Sequence, residues 1–289
     1  MKLEYSLAAR PGSANATGTD YLSVFYGNQL HKRGSELMRR DSVHSSQGLL
    51  IALCDGGEDQ PRAMDCAEAC NLEFADMLAE KPDVSDFDEN DTVRSLHDGL
   101  RRSNELLLQL AETEDAGRGM VSSIGALWFT KKYLLYSHVG NVRIYRYSGQ
   151  VLQLLTEDHT EAWALVKEGK ITPEKLVNYP GNRNFTQLLG GTGKTAAELK
   201  VERCKVEPGD AFLLCSDGVT HYLSDRTLES LFEAATDEHG ALSCDLSDRI
   251  LAMARERSEG KAHASVAVVQ AFASVSRWTS MIEKLELES

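Results

Sequence analysis

An α+β fold in one domain is what the sequence predicts, and three observations carry it. Helical periodicity appears in two consecutive segments, residues 63–78 and 93–110, while strand-length runs follow one another through residues 122–155. Such blocks, helix beside helix and strand beside strand, call for layers of helices on antiparallel sheets rather than βαβ repeats. The third observation is a repeated device: the apolar runs GLLIALCDGG (48–57) and AFLLCSDG (211–218) each break onto Asp-Gly. A strand that ends this way delivers a carboxylate, Asp55 or Asp217, to a sheet edge.

Taken in order, residues 1–19 end in the small-residue run PGSANATGT, and Asp20 leads into the aromatic strand YLSVFYG. Residues 30–46 are polar and mixed, a connection without a clear period. After the Asp55 strand, Ala63, Ala67, Cys70, Phe74 and Leu78 recur at helical spacing, then Val93, Leu96, Leu100, Leu107 and Leu110 do the same. Between them lies the acidic loop KPDVSDFDENDT, with Asp91 or Thr92 placed to cap the second helix. SSIGALWFT, YLLYSHVG, NVRIYRY and VLQLL then read as an antiparallel meander. Residues 161–178 read as a helix, NYPGNRN as a loop, and Pro208-Gly209-Asp210 as the turn into the Asp217 strand. Ser224 caps an amphipathic segment, residues 242–257 make a further helix, and SVAVVQAF is the last strand. The domain is therefore expected to span 1–274. Residues 275–289 form a tail, where Trp278, Ile282 and Leu285 fit an appended helix that docks on the core or on a partner.

With 289 residues, 42% of them hydrophobic and 26% charged, the chain can bury a large core. It has no apolar run long enough to span a bilayer, and its start lacks the apolar stretch of a secretory signal, so a cytoplasmic location is expected. A net charge of −13 disfavours nucleic acid and anionic membrane as partners, because both would be repelled, and leaves basic peptides and other proteins. Cys54, Cys66, Cys70, Cys204, Cys215 and Cys244 show no paired zinc spacing and read as mostly buried thiols.

Asp55 and Asp217 offer oxygen ligands of the kind that suit Mg²⁺ or Mn²⁺. The alternative is that each Asp-Gly only opens a turn. Two other motifs carry no chemistry. GGTGKT at 190–195 has Leu188 where a phosphate-binding loop needs its first glycine, and LTEDHT, with Asp158 and His159, follows the meander in a structural position.

The ordered set CDGG, SSIGALWF, HVGNVRIYR, LTEDHT, LLGG, EPGDAFLLCSDGVT and ASVAVV resembles the protein phosphatase 2C family, the metal-dependent PPM serine/threonine phosphatases, over nearly the whole chain. The resemblance implies an α-β-β-α sandwich: two stacked antiparallel sheets flanked by helix pairs, with a metal centre where the sheets meet. It also implies bridged Mg²⁺ or Mn²⁺ ions that activate a water against a phosphoserine or phosphothreonine. Carried over by position, Asp55 matches the bridging carboxylate, Gly56 the carbonyl ligand, Asp217 a ligand of one metal, and Asp20 the acidic residue of the first strand.

The departures from the family pattern are as informative as the matches. Asn15 stands for the phosphate-binding Arg, Thr19 for the acidic neighbour of Asp20, and Asn141 for an Asp; Arg10 lies nearby but off register. His221 stands where an Asp is expected four residues after Asp217, and Ala262-His263 replace the Asp-Asn pair before the last strand. Each lost carboxylate weakens a site that must hold dications, and the lost guanidinium removes bidentate phosphate recognition. Two readings follow. In the preferred one the chain is a catalytically impaired phosphatase homologue, holding Mg or Mn weakly, at one site or not at all, and acting by binding a phosphoprotein or a kinase. In the other it is an active Mn- or Mg-dependent phosphatase with an altered centre, in which His221 or His263 replaces a carboxylate.

Overall fold

A computed structural model describes residues 1–12, 19–27, 29–56, 63–79, 89–113, 120–131, 133–177 and 179–274. Asn15, most of the acidic stretch before the second helix and the 275–289 tail lie outside the described residues. The strands are β1 (Lys2–Arg10), β2 (Asp20–Tyr26), β3 (Gln29–Gly34), β4 (Leu37–His44), β5 (Leu49–Asp55), β6 (Ser123–Phe129), β7 (Tyr133–Val139), β8 (Arg143–Ser148), β9 (Val151–Leu154), β10 (Glu202–Lys205), β11 (Ala211–Cys215) and β12 (Ala264–Phe272). The helices are α1 (Ala63–Ala79), α2 (Glu89–Ala111), α3 (Glu161–Lys167), the single turn α4 (Asp217–Thr220), α5 (Asp225–Ala235) and α6 (Leu246–Arg257).

Two six-stranded antiparallel sheets result, in the orders β4-β1-β12-β11-β8-β9 and β10-β7-β6-β5-β2-β3. Period-two alternation explains their stacking. Leu49, Ile51 and Leu53 of β5, Leu22 and Val24 of β2, Phe212 and Leu214 of β11, and Ala267 and Val269 of β12 meet in one buried cluster between the sheets. The opposite faces are covered by helices. Leu50 and Cys54 pack with Cys66, Cys70 and Phe74 of α1 and Leu96, Leu100 and Leu107 of α2, while Leu213 and Val266 pack with Phe232 of α5 and Ile250 of α6. The layer order is therefore helix pair, sheet, sheet, helix pair, as the family resemblance implied.

Several elements differ from the sequence expectation. Residues 1–10 and 30–46 are strands rather than unassigned connections: β1 is hydrogen-bonded on both sides, to β4 and β12, and β3 closes the edge of its sheet beside β2. The helix expected over 161–178 stops at Lys167, because Gly169 turns the chain at φ +70° and Pro173 then opens a short 3-10 turn, Pro173–Leu176. Asp91 and Thr92 are inside α2 rather than capping it, since the helix already runs from Glu89. The last helix starts at Leu246, four residues later than expected, because residues 236–242 form a small bridged turn, with Thr236 opposite Leu242. Ser224 does cap α5, its side chain accepting from the Thr227 N–H. No helix among the described residues is long and apolar enough to cross a membrane.

Candidate metal centre

The inter-sheet faces of β2 and β5 end on carboxylates. Asp20 continues the row of Leu22 and Val24, Asp55 continues that of Ile51 and Leu53, and the two aspartates are register partners. Both are buried, at 3% and 4% exposure. The adjoining backbone is closed by the Gly56 N–H donating to the Thr19 carbonyl at 3.0 Å. From the facing sheet, Ser216 follows β11 and Ser265 lies in β12; they are tied through the Ser216 N–H to the Ser265 carbonyl (3.1 Å) and the Ser265 N–H to Ser216 Oγ (3.1 Å).

Asp217 begins α4 within hydrogen-bonding reach of Asp55. The helical turn fits there only because residue 218 is glycine: a Cβ would stand 1.7 Å from the His263 carbonyl oxygen. The Asp-Gly of the second strand thus does more than turn the chain. It lets the turn that carries Asp217 pack against the segment that precedes β12.

Nitrogen donors gather around one oxygen of Asp217. Asn141 Nδ2 donates to Oδ2 at 3.0 Å and is itself held by Ser123 Oγ, which donates to Asn141 Oδ1 at 3.1 Å. Arg183 Nε lies 4.0 Å and His221 Nδ1 3.9 Å from the same oxygen. Burial alone would raise the Asp217 carboxyl, but His221, Arg183, Asn141 and Asp55 together hold it below the ordinary carboxylate range. Asp20 goes the other way. Burial, with the charge of Asp217 adding to it, pushes its carboxyl up to about 6 against the pull of the Ser216, Ser265 and Thr19 hydroxyls.

The residues expected at the site divide into those the fold gathers and those it does not. Asp20, Asp55, Gly56 and Asp217 converge where the sheets meet. Thr19 donates to Asp20 Oδ1 at 3.2 Å. His221 faces Asp217, whereas His263 Nδ1 accepts the Gly12 N–H at 3.2 Å. Ala262 is wholly buried, its N–H donating to Ser258 Oγ at 3.1 Å. Asn141 replaces an acid in the pattern and here serves as the closest donor to Asp217. Arg183 was not anticipated; it comes from the loop after α3, with nothing in its spacing to mark it. Asp158, by contrast, is spoken for: Arg143 donates to both its oxygens, at 2.8 and 2.7 Å, inside the core.

The donor set suits a divalent cation. Asp20 Oδ2 is buried with no hydrogen-bond partner, and Asp55 and Asp217 bring two further carboxyls together, so there is anionic oxygen for one cation. Among the described residues, no three His, Cys, Asp or Glu side chains converge on one metal position, and at 262 a methyl group stands where the family pattern has a ligand.

Comparison with known proteins adds to this geometry. The family model for protein phosphatase 2C matches residues 29–252. A serine/threonine phosphatase, stp, of Listeria monocytogenes is 28% identical over 147 residues, 50% of this chain and 58% of that relative, so the match spans little more than half its length. The serine/threonine phosphatase of S. agalactiae superposes with a TM-score of 0.74 at 23% identity, over 93% of this chain and 99% of its own. The catalytic domain of the serine/threonine protein phosphatase PstP, solved in complex with 2 manganese ions, gives 0.70 at 22% identity over 94% and 100%. At such identities the superpositions establish the fold.

Proposed function

We propose that this chain, which belongs to the protein phosphatase 2C family, is a catalytically impaired member that acts by binding a phosphoprotein or a kinase. The observation that carries the reading is Ala262, 0% exposed before the last strand, where the family pattern requires a metal carboxylate. A methyl group in that place leaves the charge of two dications without one of its anionic partners.

Asp55 and Asp217, with the Gly56 carbonyl, would hold a single Mg²⁺ or Mn²⁺, and Asp20 would stand behind them. Such an ion supplies a Lewis acid and a water of lowered pKa. Asn141 orients Asp217 through its 3.0 Å hydrogen bond, and Ser123 fixes the Asn141 amide. Buried Ser216 and Ser265 tie the end of β11 to β12, opposite Asp20 of the facing sheet. The net charge of −13 supports a protein partner over nucleic acid or an anionic membrane.

One observation favours the second reading, an active phosphatase with an altered centre. His221 Nδ1 lies 3.9 Å from Asp217 Oδ2, near enough to share a manganese ion after a small shift. His263, engaged by Gly12, is less suited to that role. Phosphate release from a phosphothreonine peptide in excess Mn²⁺ separates the readings. We expect the wild type to release no more than Asp55→Asn. Release that Asp55→Asn abolishes would establish the active enzyme instead.

A further inference from the structure

We infer that Arg183 is a built-in counter-ion of the carboxylate cluster and competes with a divalent cation for Asp217; the inference rests on the single-site reading above. Three buried or nearly buried aspartates require compensating positive charge if the fold is to hold without a metal. Among the described residues, Arg183 is a permanent cation within reach. Its Nε stands 4.0 Å from Asp217 Oδ2, the oxygen that also takes the Asn141 hydrogen bond and faces His221. Asn141 is neutral and an imidazole is charged only when protonated, whereas a guanidinium is a permanent cation.

The position of Arg183 is set by the chain around it. Asn182, 7% exposed, is held through its side-chain amide by the Leu176 carbonyl. Asn184 is tied on both sides: its carbonyl accepts the Glu161 N–H at 2.8 Å, and its amide donates to Glu161 Oε2 at 3.0 Å. Two residues on, the Thr186 N–H donates to the His159 carbonyl (2.9 Å), and the His159 N–H donates to the Gly140 carbonyl (2.8 Å), next to Asn141. A continuous hydrogen-bonded path therefore runs from the Arg183 loop to the residue that holds Asp217. The guanidinium is delivered to the carboxylate by a braced loop.

A dication between Asp55 and Asp217 would lie close to this guanidinium and be repelled by it, so the ion must displace the side chain or bind weakly. Because the Arg183 side chain is 39% exposed, it can leave into solvent and its removal need not disturb the core.

The test is calorimetric titration of Mn²⁺ into the full chain, comparing wild type with Arg183→Gln and Arg183→Lys, each checked for native circular dichroism. Arg183→Gln is expected to bind Mn²⁺ roughly tenfold more tightly than wild type, and Arg183→Lys to stay near wild type. Thermal melting should show the metal-free Gln variant below wild type and raised by Mn²⁺ more than wild type is. Equal or weaker Mn²⁺ affinity in Arg183→Gln, or an equal gain in Arg183→Lys, would overturn the inference. The ratio of affinities decides it. A wild type that binds two Mn²⁺ ions would sink the single-site reading and leave this comparison valid.

Discussion

At position 262 a methyl group stands where the family's pattern has a metal carboxylate, and its burial specifies what a carboxylate would do there. Ala262 is fully enclosed, so an aspartate in its place would be desolvated. Ala262→Asp is therefore expected to cost about 1–3 kcal/mol of stability without metal, to regain it in Mn²⁺, and to bind Mn²⁺ more tightly than wild type. Melting curves with and without Mn²⁺ check this, and a variant indifferent to the ion would mean that position 262 is not a ligand position. The residue scale also shows why Asp158 is not an acid-base candidate: Arg143, itself buried and touching Tyr145 and Asp225, already claims both of its oxygens.

Among the elements, close approach between the α4 turn that follows β11 and the lead into β12 sets where Asp217 stands. Gly218 permits it. Gly218→Ala would drive a Cβ into the His263 carbonyl, and we expect a loss of about 1–3 kcal/mol in urea unfolding together with weaker Mn²⁺ binding, since Asp217 moves with the turn. Unchanged stability would show that the corner is free to relax. The same scale explains which elements could be read from the residues. β5 and β11 were plain because both faces are buried and their residues are continuously apolar. β3, with the sequence QLHKRG and mostly exposed side chains, is a strand because β2 offers it an edge, and no local pattern announces that. β10, four residues long and largely exposed, was missed for the same reason. The sequence predicts too long a helix after the meander because helical spacing continues past Gly169, where the backbone turns.

For the molecule as a whole, the site is assembled from both sheets and from the loop after α3. Asp55 and Asp217 are legible because each ends an apolar run, and Asp20 through its place in the family pattern, whereas Arg183 is not, because only the folded path through Thr186, His159 and Gly140 brings it to Asp217. That path includes a pH-sensitive joint. His138 and His159 stack with centroids 4.6 Å apart, and His159 Nδ1 accepts the Gly140 N–H at 3.2 Å, which requires an unprotonated nitrogen. Burial, reinforced by His138, lowers His159 from 6.5 to about 4, and burial also lowers His138. Between these values the unfolded chain binds more protons than the folded one, so stability is complete above about pH 6.5 and declines as the pH falls towards 4. Urea unfolding across that window should show a shallower decline for His159→Asn than for wild type; an identical slope would assign the acid sensitivity to other groups. The most direct measurement of the central claim is anomalous diffraction from crystals soaked in Mn²⁺. At most one manganese, lying between Asp55 and Asp217, is the expected result; two well-occupied ions sharing the Asp55 carboxylate would contradict it.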